Sequence, residues 1–266
     1  SILAGYNIGN LKQEIIVFLD EKRNKFAGPG TAFDPAAAFL GASIITNVSP
    51  PQDNISYALR NKILLSGLEL DLSFGEYNNK QLSTLSSSVS GNVTTLVTQQ
   101  DRILFVGLNG NIVLSDFVLK FDTSHKKGKR FPGSNPLNSP WSEHEVSEFS
   151  FGADYSGFND LSINVELANA YVHEHTTQIA NEQSEYGYSL RFDWRLYNDL
   201  LDLSLQHANI LGDNGSFSSF SAAYEFSDRV NVGGKIISFD SDNNTQQLFP
   251  YRHQDLIQLT LDYYFN

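Results

Sequence analysis

From Ile257 to Phe265 the chain alternates without a break. Ile257, Leu259, Leu261, Tyr263 and Phe265 are apolar or aromatic, and Gln258, Thr260, Asp262 and Tyr264 stand between them. A period of two puts the first set on one face of a strand and the second, largely polar, on the other. The pattern returns most sharply where Tyr186, Tyr188, Leu190, Phe192, Trp194 and Leu196 alternate with Gly187, Ser189, Arg191, Asp193 and Arg195. It returns again with Leu68, Leu70, Leu72 and Phe74 against Glu69, Asp71, Ser73 and Gly75, and with Phe149, Phe151, Ala153 and Tyr155 against Glu148, Ser150, Gly152 and Asp154. Leu161, Ile163, Val165 and Leu167 oppose Ser162, Asn164 and Glu166 in the same way.

Read like this, the chain holds twelve strands, or thirteen with the fragment before Gly9. Their spacers fall into two classes. Short turns carry Ser66-Gly67, Leu114-Ser115 and Ser227-Asp228-Arg229, while long connections lie near 20–53, 78–100, 122–143, 172–184 and 240–252. Within the first of these, 36–45 reads as a short helix or an inward-folded segment. Short turns at one end and long loops at the other predict an all-β, antiparallel, up-and-down transmembrane barrel of the outer-membrane type. Greek-key sandwiches do not sort their connections so regularly.

The charges strengthen that expectation. Arg60, Glu69, Asp71, Lys120, Glu148, Asp154, Glu166, Arg191, Asp193, Arg195 and Asp262 all fall on the polar faces. A dry core could not hold so many without heavy desolvation cost, whereas a wet lumen can. Hydrophobic residues make up 41% of the chain, and no stretch approaches the length of an apolar helical span. Aromatics reach 12%, with Phe 19 and Tyr 12 against Trp 2, which suits strands and interfacial girdles. A net charge of -12 argues against nucleic acid as a partner. The absence of cysteine removes thiolate chemistry and disulfides, and nothing in the sequence demands a cofactor.

The same residues carry a resemblance. The terminal strand looks like the assembly signal of bacterial outer-membrane proteins, with its last aromatic, Phe265, in the penultimate position. Asn54-Ile55-Ser56-Tyr57-Ala58-Leu59-Arg60 and the segment FSFGADYSGFNDLSINVELANA (149–170) resemble the DUF1302 family of Gram-negative outer-membrane proteins. The resemblance implies a porin-like barrel in the outer membrane, in contact with its lipid and lipopolysaccharide and with an envelope transport complex as a candidate partner. Members are usually longer, so it also implies that 1–266 is one barrel domain lacking N-terminal strands.

These readings predict a channel for small polar or amphiphilic solutes, lined by the charged residues named above. The alternative is a sealed barrel that docks an envelope transport partner. Arg191, Asp193 and Arg195, spaced about 6.5 Å apart along one strand face, form either a lining ladder or internal pairs. The run Lys126, Lys127, Lys129 and Arg130 reads as a solvated loop. His173 and His175 flank Glu174 but have no third ligand at a recognisable metal spacing. Asp240, Asp242, Asn243 and Asn244 offer oxygen ligands without an EF-hand pattern. No serine, histidine and acid stand in an arrangement that marks an enzyme.

Overall fold

The structure, a computed structural model, describes residues 2–19, 43–49, 55–91, 93–134, 141–212, 214–243, 246 and 248–264. Fourteen strands form one sheet among the described residues. They are β1 (Ile2–Ile8), β2 (Leu11–Phe18), β3 (Ser43–Val48), β4 (Ser56–Leu65), β5 (Leu68–Ser90), β6 (Val93–Leu114) and β7 (Phe117–Pro132), followed by β8 (Trp141–Phe158), β9 (Leu161–Val172), β10 (Ser184–Leu196), β11 (Leu201–Asn209), β12 (Ser216–Ser227), β13 (Val230–Asp240) and β14 (Leu256–Tyr263). All but β3 follow one another in chain order as hydrogen-bonded neighbours. The hairpins close through tight turns in which Gly9, Gly67, Ser115 and Asp160 take positive φ. Only such turns reverse a twisted strand within two residues.

Two expected loops are strands. Residues 78–90 and 93–100 continue β5 and β6, which meet in a hairpin at Gly91. Residues 122–132 belong to β7, so the basic run lies on a strand. The expected connection 20–53 contains β3, which pairs in parallel with β6 from Ser43↔Val93 to Val48↔Thr98. β7 has 16 residues to the 22 of β6, so the far end of β6 is free to take this extra strand. Positions 36–42 of the expected helix, and Phe265, lie outside the described residues.

The chain divides into two compact units. One comprises Ser1–Asn111, Phe121–Phe149 and Ala170–Glu185; the other comprises Ile112–Lys120, Ser150–Asn169 and Tyr186–Asn266. The first contains a small apolar core of Phe131, Val146, Ala170, Val172 and Ile179. Ile179 comes from the connection 173–183, which folds back on β7: the Ala180 amide donates to the Pro132 carbonyl at 2.8 Å, and that of Ser134 to the Gln178 carbonyl at 2.7 Å. Val146 shares its face of β8 with Glu148, so this connection covers the polar side of its strands. In the second unit the ladder runs in unbroken register from Tyr188↔Asn209 to Leu196↔Leu201 and from Leu201↔Tyr224 to Asn209↔Ser216. β1 and β14 end the strand path, and every residue in each is exposed.

Candidate functional site

Burial along the strands is inverted relative to a water-soluble sheet. Leu259 is 84% exposed and Ile257 72%, and Leu72, Phe74, Leu104, Phe149, Leu167, Leu205 and Phe220 are exposed on other strands. Glu14 and Asp71 are only 5% and 1% exposed. A side chain such as Leu gains roughly 1.5–3 kcal/mol on leaving water. A row of exposed ones is therefore stable only against hydrocarbon.

The polar face is a set of short ion-pair networks. On β2, β4 and β5, Arg60 binds Asp71 and also reaches Glu14 at 3.5 Å, while Lys12 reaches Glu14 at 2.6 Å. Glu69 is held by Lys62. Lys120 pairs with Asp154, whose carboxylate also accepts from the Asn164 amide. Glu148 is held by both Lys126 and Lys129. Arg191 donates from Nε and Nη2 to Asp193 at 3.0 and 2.9 Å, and Arg195 leans to Asp199 at 3.6 Å. Glu166 and Asp262 are exposed and make no ion pair among the described residues. The structure thus brings the expected residues into local pairs and leaves those two carboxylates apart.

The basic run is not a solvated loop. Gly128 has φ +92, and a Cβ there would collide with the Arg102 carbonyl. This irregularity shifts the alternation by one residue. Lys126 and Lys129 consequently share a face and reach Glu148, while Lys127 pairs with Glu145 and Arg130 with Asp101. Every member of the run has a carboxylate partner.

A cluster that the sequence did not reveal lies on the other face. Ser147 Oγ sits 3.1 Å from His125 Nδ1 and 2.8 Å from His173 Nε2, and Glu145 lies 3.2 Å from His125 Nε2. With a proton on His125 Nε2 facing the Glu145 carboxylate, the Ser147 hydroxyl would donate to Nδ1 and accept from His173. Serine, histidine and glutamate in this order suggest acyl transfer. However, Ser147 stands mid-strand in β8, which is hydrogen-bonded to β7 and β9, so its own strand offers no free amide pair to hold an oxyanion. The arrangement is a cross-strand polar clasp. Comparable polar contacts on the apolar face join Tyr57 and Arg102 to Glu76, and Tyr188 and Ser218 to His207. They form the polar and aromatic border that barrel strands carry beyond their apolar band. Sequence spacing could not find this cluster, because its members come from two strands and a connection.

The two loop candidates hold their own structure. His175 Nε2 lies 2.8 Å from the Asn181 carbonyl oxygen, away from the partners of His173. No trio of His, Cys, Asp or Glu able to hold a metal is found among the described residues. In the connection after β13, the Gln246 side-chain oxygen accepts from the Ser241 hydroxyl and from the amides of Asp242 and Asn243. Asn244 lies outside the described residues.

No protein-family model matches the chain, and no curated protein matches it by sequence. Solved structures do. OccAB3 of Acinetobacter baumannii superposes with a TM-score of 0.51 at 13% identity, covering 98% of this chain and 66% of that one. A loop-deletion mutant of OmpT, an outer-membrane protein of Vibrio cholerae, gives 0.48 at 14% identity over 90% and 73%. OccK8 (OprE) of Pseudomonas aeruginosa gives 0.46 at 13% identity over 86% and 63%. The chain thus spans about two thirds of the OccAB3 chain. The fold is the antiparallel up-and-down sheet of outer-membrane barrels, and its exposed apolar face suits contact with hydrocarbon. Its polar face carries ion pairs between neighbouring strands.

Proposed function

We propose that this protein forms a passage for small polar or amphiphilic solutes across the outer membrane, lined by the charged face of its sheet. The observation that carries the reading is the disposition of the ion pairs. Arg60–Asp71, Lys120–Asp154 and Lys126–Glu148 join neighbouring strands, and Arg191–Asp193 lies along one strand. Such pairs satisfy one another between neighbours on the sheet, which is compatible with a wet space above it. The connection 173–183, anchored by Ile179, narrows the passage. Glu166 and Asp262 leave an excess of unpaired acid, which favours cations modestly.

Two further statements belong to this reading. The sequence motifs 54–60 and 149–170 support kinship with the DUF1302 proteins, and the second forms the hairpin of β8 and β9. β1 lies at one end of the strand path, and in lipid unpaired backbone groups cost several kcal/mol each. We place further strands of the same polypeptide against it, and the mass of the mature protein isolated from outer membranes tests this.

A second reading has its own support, because most of the charges are paired. A sealed barrel, docking an envelope partner through its rim, would show the same pairs. Single-channel recording on the reconstituted full-length protein separates the two. Stepwise conductance is the expected result. A silent bilayer at all voltages, with the protein folded by heat-modifiable mobility on a gel, would replace the passage with the docking role.

A further inference from the structure

Near the tight turns of β9, β10 and β11, the polar face of the second unit lines a half-open cavity of about 490 Å³. Its wall includes Ser162, Arg191, Asp193, Arg195, Asp202 and Ser204. Arg191 and Asp193 neutralise each other. Arg195 and Asp202 do not, although they are direct register partners on adjacent strands. Side chains so placed start from Cβ atoms about 5 Å apart and ordinarily pair. Here Arg195 turns instead to Asp199, at 3.6 Å and with both groups well exposed. The Asp202 carboxylate makes no ion pair or hydrogen bond among the described residues.

The turn explains the misalignment. Tyr197, Asn198 and Asp199 all take positive φ, at 56, 58 and 65. Three consecutive left-handed residues curl the chain back, so the Asp199 carboxylate competes with Asp202 for the guanidinium. An exposed, long pair of this kind is weak. The cavity therefore presents a loosely held cation and an unengaged carboxylate side by side, with the serine hydroxyls nearby.

We infer that this cavity is a binding site for a small zwitterionic solute of the amino-acid class. The solute's carboxylate is received by Arg195 and its ammonium by Asp202. Each contact is a charge-assisted hydrogen bond, and one ligand satisfies both groups without bringing net charge onto the face. A simple anion would meet Asp202 as a repelling neighbour, and a simple cation would meet Arg195. The inference deepens the passage reading, since it rests on the polar face being wet.

The test is saturation-transfer NMR on the full-length protein folded in detergent, with alanine, acetate and ethylammonium as separate probes. Alanine should bind at least about tenfold more tightly than either of the others. Asp202→Asn and Arg195→Gln should each remove that preference, while Asp202→Glu keeps most of it. Asp199→Asn frees Arg195 and should tighten alanine binding. Heat-modifiable mobility of each variant reports folding independently. The inference is overturned if alanine binds no better than acetate, or if folded Asp202→Asn binds it as the parent does. The binding assay needs no open pore, so alanine binding beside a silent bilayer would retain the site and remove only the passage.

Discussion

At the scale of single residues, the backbone at Tyr197, Asn198 and Asp199 shows what the short turns demand. A left-handed φ costs a non-glycine residue up to about 1–2 kcal/mol, and less for Asn. Asn198→Gly should therefore stabilise the protein by about 0.5–1 kcal/mol, and Asn198→Val should destabilise it by more than about 1 kcal/mol. Urea unfolding in detergent measures both, and equal midpoints for the two variants would refute the strain. The face on which each charge sits was legible in the sequence, because a two-residue period needs only neighbours along the chain. Its partner was not. That Arg195 meets Asp199 rather than Asp202 depends on the curl of a turn. That His125, Ser147 and His173 converge depends on strand register. The basic run was misread because the left-handed Gly128 shifts the alternation by one residue inside it.

At the scale of elements, the sequence marked strands only where their two faces meet different solvents. Residues 78–100 are rich in Ser, Thr and Gln on both faces, so no alternation announced the continuation of β5 and β6. Their β-branched content and the glycine at position 91 were the remaining signals. Where the faces do differ, substitution should respond to face rather than to strand. On β12, Phe220 is exposed on the apolar side and Ser219 lies on the polar side. Phe220→Arg should cost about 2–4 kcal/mol in phospholipid vesicles, and Ser219→Arg about 1 kcal/mol or less. Equal costs would mean that lipid does not meet the apolar face. The connection 173–183 makes a separate prediction, since Ile179 is 4% exposed and anchors it. A charge cannot remain in that apolar cluster. Ile179→Asp should free the segment, seen as faster cleavage between 173 and 183 by an added protease, while the heat-modifiable band persists. An unchanged cleavage rate would show that the backbone bonds to β7 alone hold the connection.

At the scale of the whole molecule, the argument turns on where unlike solvents are met. Apolar side chains at the surface and carboxylates under cover make sense only if hydrocarbon lies on one side of the sheet and water on the other. The pairing of the charges then sets the field along the wet side. A locally paired carboxylate contributes little beyond its neighbour, whereas Glu166 acts at full charge. Asp193 is an intermediate case, because reversing it also releases Arg191 from its only ion-pair partner among the described residues. Each reversal changes the wall by two charges, and the second adds an unmasked guanidinium. The combined variant Glu166→Lys with Asp193→Lys should therefore move the reversal potential in a salt gradient from modest cation preference to anion preference. Glu166→Gln alone should only weaken the cation preference. The effect should shrink at high salt, where charges at a wet wall are screened within a few ångströms. An unchanged reversal potential in a variant that still conducts would place the current path away from this face, and the lining proposed here would fall with it.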